Sequence, residues 1–169
     1  MEVKPKNGDI LKIYRGGYWH WAVYVGNDEV IHYSSKDSDK SLSNNKIVQE
    51  SLTKFIREAS KYEIVNFPEK YSGIRTSTKT QYGISSFMPQ PGNFALDRNI
   101  VLELLEKNYK IYSPNEVVSR AKERLNEKEY SLISNNCEHF AVWCKTGISE
   151  SRQVDFLLNI LRATNPIFY

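Results

Sequence analysis

Three short segments in the first 35 residues constrain the fold more than anything else in the chain: "GDILKIYR" (8 to 15), "WAVYVGN" (21 to 27) and "EVIHYSS" (29 to 35). Each is rich in β-branched and aromatic residues and is bounded by Gly, Asn or Asp, the pattern of strands closed by turns. The second and third are separated only by "GND", a connection so short that the two must be antiparallel neighbours in a hairpin. His20 then lies at the mouth of one strand and His32 within its partner.

The length of 169 residues suits one compact domain with its own core. Downstream, "SKDSDKSLSNNK" (35 to 46) reads as an exposed loop, "IVQESLTKFIREAS" as a short helix or a strand edge, and "YEIVNF" (62 to 67) as a further strand. The stretch from 68 to 98, rich in Pro, Gly, Ser and Thr, is long for a structureless connection and predicts a lid, a binding loop or an insert. "NIVLELLEKNYKIYS" (99 to 113) fits helix or strand.

"SPNEVVSRAKERLNEK" is a clearer helix. Ser113 and Glu116 form a capping box, Pro114 suits the first helical position, and Val117, Val118, Ala121 and Leu125 fall on one stripe. After the short extended "YSLIS" (130 to 134), Asn135 or Asn136 caps a last helix that Gly147 ends. Cys137 sits in its first turn.

Apolar residues make up 40% and charged residues 25% of the chain, with a formal charge of +3. This balance excludes a disordered acidic tail and the strongly basic profile of a nucleic-acid binder. No run approaches the ~18 apolar residues of a membrane span, and the first residues lack the apolar core of a secretory signal. The expectation is a cytoplasmic protein, at most peripheral on intracellular membranes. Cys137 and Cys144 lie about 10.5 Å apart by helical rise, beyond the about 7 Å a disulfide tolerates, so they do not pair with each other. Their spacing matches no zinc motif, and no metal or cofactor is expected.

A cysteine attacks only as thiolate, and a helix N-terminus favours that anion. Cys137 has that position. It also lies on the apolar stripe Cys137, Phe140, Ala141 and Cys144, on which Cys144 reads as core. His20 and His32, twelve residues apart across the hairpin, are expected side by side on one face of the sheet. If the Cys137 helix packs on that face, one imidazole takes the thiol proton and the other orients the first. His139 points about 200° around the helix from Cys137 and is assigned a supporting role.

The pieces "GDILKIYR", "HWAVYVGNDEVIHY" and "YSLISNNCEHFAVWCKTG", with "SPNEVVSRAKERL" more loosely, resemble the lecithin:retinol acyltransferase family, which includes the H-rev-type phospholipase A/acyltransferases. The resemblance implies an α+β class and a circularly permuted NlpC/P60, papain-like fold over a single domain, residues 1 to 169, with an antiparallel sheet packed against the helix that carries Cys137. It implies that His20 is the general base, His32 the orienting histidine and Cys137 a nucleophile that forms an acyl thioester. The substrate implied is a glycerophospholipid at a membrane surface, its acyl group passing to water, an amine or a lysophospholipid. For the oxyanion, the Cys137 N–H is a natural donor and Tyr18 is placed to supply a second, with Asn136 and His139 beside the site. Trp19 stands where phospholipase-type members carry a basic residue. Two other readings keep the fold: an NlpC/P60-type cysteine peptidase or amidase, and a non-enzymatic lipid- or protein-binding domain.

Overall fold

A computed structural model of the chain describes residues 3–16, 18–34, 45–57, 59, 61–67, 109–128 and 136–149. Five strands form one antiparallel sheet: β1 (Ile10–Tyr14), β2 (Trp19–Gly26), β3 (Glu29–Ser34), β4 (Lys46–Ser51) and β5 (Glu63–Ile64), in the order β4-β3-β2-β1-β5. Among the described residues the helices are α1 (Leu52–Ile56), α2 (Pro114–Glu123) and α3 (Cys137–Thr146). The α+β class that the resemblance implies agrees with this arrangement. The 68 to 98 segment, "YSLIS" and the chain beyond residue 149 lie outside the described residues, as does most of 35 to 46 and of 99 to 113.

The β2–β3 hairpin closes on Asn27 and Asp28, both at positive φ (52° and 56°), the conformation a two-residue turn demands and that Asn and Asp tolerate. β2 begins earlier than the sequence pattern indicates, so His20 is a strand residue paired opposite Ile13 rather than a residue at the mouth of the strand. "IVQESLTKFIREAS" contains both elements left open for it. β4 ends at Ser51, whose hydroxyl accepts from the Lys54 N–H and starts α1.

Strand alternation divides the side chains between two faces. One face carries Ile10, Trp21, Val23, Ile31, Tyr33 and Ile47, and packs against Val117 and Ala121 of α2 and Phe140, Ala141 and Cys144 of α3. The other carries Leu11, Ile13, Ala22, Tyr24 and Val30 and is closed by Phe55 of α1. The capping box of α2 forms as expected, with the Ser113 hydroxyl accepting from the Glu116 N–H and the Glu116 carboxylate accepting from the Ser113 N–H. Helix α3 is capped by Asn136 and ends on Gly147 at φ 76°. It is buried on more than the predicted stripe: His139, Val142 and Thr146 are also inside, because α3 is covered by β2, β3 and α2 together.

Candidate active site

β2 fixes where the site is. The Gly8 N–H donates to the Tyr24 carbonyl and the Tyr24 N–H to the Asp9 carbonyl, so even-numbered residues of β2 turn their backbone groups to the β1 side. By alternation, Trp19, Trp21 and Val23 turn theirs toward β3. The register with β3, however, runs only from Gly26↔Glu29 and Tyr24↔Val30 to Val23↔Ile31. Past Val23 the ladder stops among the described residues, although both strands continue.

The N-terminus of α3 enters at this opening. Cys137 Sγ lies 3.9 Å from the Trp19 carbonyl oxygen, within reach of a weak S–H bond, and the Trp21 N–H is directed at the same sulfur. The thiol therefore sits against the backbone on both sides of His20. Asn136 holds the helix start, its Oδ1 accepting from the His139 N–H at 3.0 Å and lying 2.9 Å from His139 Nδ1. His139 thus supports the helix cap, not the thiol, as its angle around the helix requires.

The two histidines come together as expected. His20 Nε2 is 2.8 Å from His32 Nδ1, with both rings buried. Continuing the β2–β3 register would set Ala22 opposite His32, which makes His20 its diagonal neighbour on the same face. That face is not the one α3 packs on. The imidazoles stand against Phe55, with ring centroids 5.6 and 5.1 Å away, on the α1 side of the sheet, while Cys137 belongs to the cluster on the other side. The expectation that the cysteine helix packs over the histidine face is corrected here. Cys137 and the imidazoles thus lie on opposite sides of the sheet, beside the stretch where the β2–β3 ladder stops.

A further residue joins the histidines. Glu50 of β4 lies two positions from Val48, the partner of His32, so its carboxylate reaches diagonally and places Oε1 2.6 Å from His32 Nε2. Its other oxygen is 2.7 Å from Lys54 Nζ one helical turn on. Sequence reasoning passed over Glu50, yet two signals were present: period-two alternation in "KIVQES" puts Val48 and Glu50 on one face, and Lys54 follows at i+4. Tyr18 stands edge-on to His20, with ring centroids 6.3 Å apart, and its carbonyl accepts from the Arg15 N–H in the turn between β1 and β2.

Burial sets the charges. It pushes the His20 imidazole well below its ordinary range, and His32, Arg15 and Arg57 push it the same way. Burial pushes the Cys137 thiol up to about 12; the Trp21 N–H pulls it back in part, the Glu138 carboxylate adds to the rise, and the N–H groups of Glu138 and Cys137 itself oppose it. Burial would also raise Glu50, but the bonds from His32 and Lys54 outweigh it and hold the carboxyl down at about 2. At rest the site contains a neutral thiol, a neutral His20 and an ionised Glu50. The ring nitrogens of His20 and His32 face each other instead of converging on a common point, and no metal-binding cluster occurs among the described residues.

Residues 3–150 match the family model described as lecithin retinol acyltransferase, nearly the whole chain. The chain belongs to the lecithin retinol acyltransferase family. It is 27% identical over 161 residues to human phospholipase A and acyltransferase 2, covering 89% of this chain and 76% of that protein. Rat phospholipase A and acyltransferase 5 is 26% identical over 162 residues, covering 92% of this chain and 44% of the rat protein. Mouse lecithin retinol acyltransferase is 29% identical over 150 residues, 88% of this chain and 57% of the mouse protein. The chain therefore spans less than half of the rat relative and about three quarters of the human one.

Proposed function

We propose that this lecithin retinol acyltransferase family member is a thiol-dependent phospholipase A and acyltransferase, acting on glycerophospholipid acyl esters through a thioester on Cys137. The single observation that carries the reading is the buried His20–His32 pair, with His20 on β2, the strand whose backbone flanks the Cys137 sulfur. The permuted NlpC/P60 arrangement belongs to the same proposal, supported by the order of the chain, with the histidine strands first and the cysteine helix last.

The resting protonation states define the chemistry. The thiol is neutral because it is desolvated, so nucleophile and base do not exist as a preformed ion pair. Once an ester carbonyl is in place, the Cys137 proton passes to His20 as sulfur attacks, and the N–H groups of the first turn of α3 receive the developing oxyanion. Collapse breaks the acyl C–O bond. His20 returns its proton to the departing lysophospholipid oxygen, leaving the acyl group on sulfur. The second half repeats the cycle with water, an amine or a lysophospholipid as the attacking group.

A phospholipid substrate agrees with the names of the relatives, and it would reach such a centre from a membrane surface. Among the described residues no helix is long and apolar enough to cross a membrane. A cytoplasmic protein docking peripherally fits this proposal. Incubation with phosphatidylcholine vesicles, with lysophospholipid and free fatty acid quantified together, tests the reaction. Equimolar release of both, absent in Cys137→Ala, supports hydrolysis by this thiol. Cleavage of model peptides with no action on vesicles would favour the peptidase reading instead.

A further inference from the structure

The His20–His32 pair leaves one question that the family's cysteine and two histidines do not answer: which nitrogen of His20 carries the proton. Only an imidazole nitrogen without hydrogen can serve as base. The row of polar contacts fixes the answer from its far end. An ionised carboxylate has no proton to give, so in the 2.6 Å contact between Glu50 Oε1 and His32 Nε2 the histidine nitrogen must be the donor. Where both imidazoles are neutral, His32 Nδ1 is then an acceptor, and the 2.8 Å contact to His20 requires a proton on His20 Nε2. His20 Nδ1 is left with its lone pair.

We infer that Glu50 is a positioning residue which, acting through His32, fixes His20 as the Nε2–H tautomer and so makes Nδ1 the base for Cys137. Lys54 serves the same end by holding the second carboxylate oxygen, and Phe55 over both rings keeps water from offering competing donors. The arrangement is short and fully directional. Each member has its geometry set by strand pairing: Glu50 diagonal to His32, and His32 diagonal to His20. His32 is completely buried, so the carboxylate is its means of holding a defined proton without solvent.

The role in turnover rests on the proposed function; the tautomers do not, and the two are tested separately. ¹⁵N chemical shifts of the imidazoles in wild-type protein, at about pH 8 where an ordinary histidine is neutral, report which nitrogens are protonated. The expected pattern is Nε2–H on both His20 and His32. A His20 that is Nδ1–H in the wild type overturns the inference outright. In Glu50→Met, which keeps the length of the side chain but removes the carboxylate, both histidines should become tautomer mixtures, while Glu50→Gln, which retains an acceptor oxygen, should restore the wild-type pattern.

The rate of Cys137 alkylation by iodoacetamide should fall with the tautomer, by about 10- to 100-fold in Glu50→Met and much less in Glu50→Gln. Phospholipid hydrolysis should follow the same order. A folded Glu50→Met with unchanged tautomers and alkylation within twofold of wild type would reduce Glu50 to a structural role and overturn the inference. Shifted tautomers and slowed alkylation in a protein inactive on every ester would sustain the inference and remove the phospholipase reading instead.

Discussion

The two faces of the sheet do different work. The α2 and α3 face is a conventional core, with Ile10, Val23, Ile31, Tyr33, Val117 and Phe140 closed off from solvent and Arg120 and Arg124 stacked on Trp143 at its rim. The α1 face is smaller and carries, beside Leu11, Ile13 and Phe55, the polar series His20, His32 and Glu50. Cys137 therefore sits on the packing side and the His20, His32 and Glu50 series on the other, on either side of the stretch where the β2–β3 ladder stops. On the proposed function, the packing face and the polar face should be separable by mutation.

The largest effect is expected from Cys137→Ala: loss of all measurable ester cleavage, with a melting temperature close to wild type, because a nearly isosteric residue stays at a capped helix start. His20→Ala should follow, lowering kcat by about 10²- to 10⁴-fold, the usual contribution of a general base. Phe140→Ala attacks the opposite face and should do the reverse. Denaturant unfolding should show a loss of about 3–5 kcal/mol, the cost of a buried aromatic truncated to a cavity, while the folded fraction retains activity. Cys144→Ser, which buries a hydroxyl in the same core, should cost about 1–3 kcal/mol in the same experiment with little change in turnover.

The smallest effect is a matter of pH. Glu50 has its carboxyl held at about 2 against an ordinary 4.5, so its contribution to stability is complete above about pH 4.5 and disappears as the pH falls toward 2. Wild type should lose in that window a stability that Glu50→Gln does not have to lose. Unfolding curves of the two proteins should therefore converge on acidification. A constant difference between them from neutral pH down to pH 2 would contradict the charge assigned to Glu50.

Much of this was legible in the chain because it is local. The Asn27–Asp28 turn, the Ser113 and Glu116 capping box, Asn136 as cap and Gly147 as terminator are each decided within a few residues, and the structure keeps all of them. The meeting of His20 and His32 follows from one hairpin and strand alternation. What could not be read is what tertiary packing decides. The face on which α3 docks is set by its packing against β2, β3 and α2, and no residue pattern announces where the β2–β3 ladder ends. Glu50 escaped for a related reason: "VQES" has the composition of a surface edge, and its carboxylate gains a role only because β4 pairs with β3 in the register His32↔Val48.

The central claim is that Cys137, entering from the packing face, is the nucleophile that His20 activates from the other. Intact-protein mass spectrometry after brief mixing with phosphatidylcholine vesicles tests it most directly, with peptide mapping of any adduct. The account predicts an acyl-sized mass increase on Cys137 in wild type, removed by hydroxylamine, strongly reduced in His20→Ala and absent in Cys137→Ala. An acyl adduct on another residue, or one that forms on Cys137 at an undiminished rate in His20→Ala, would contradict it.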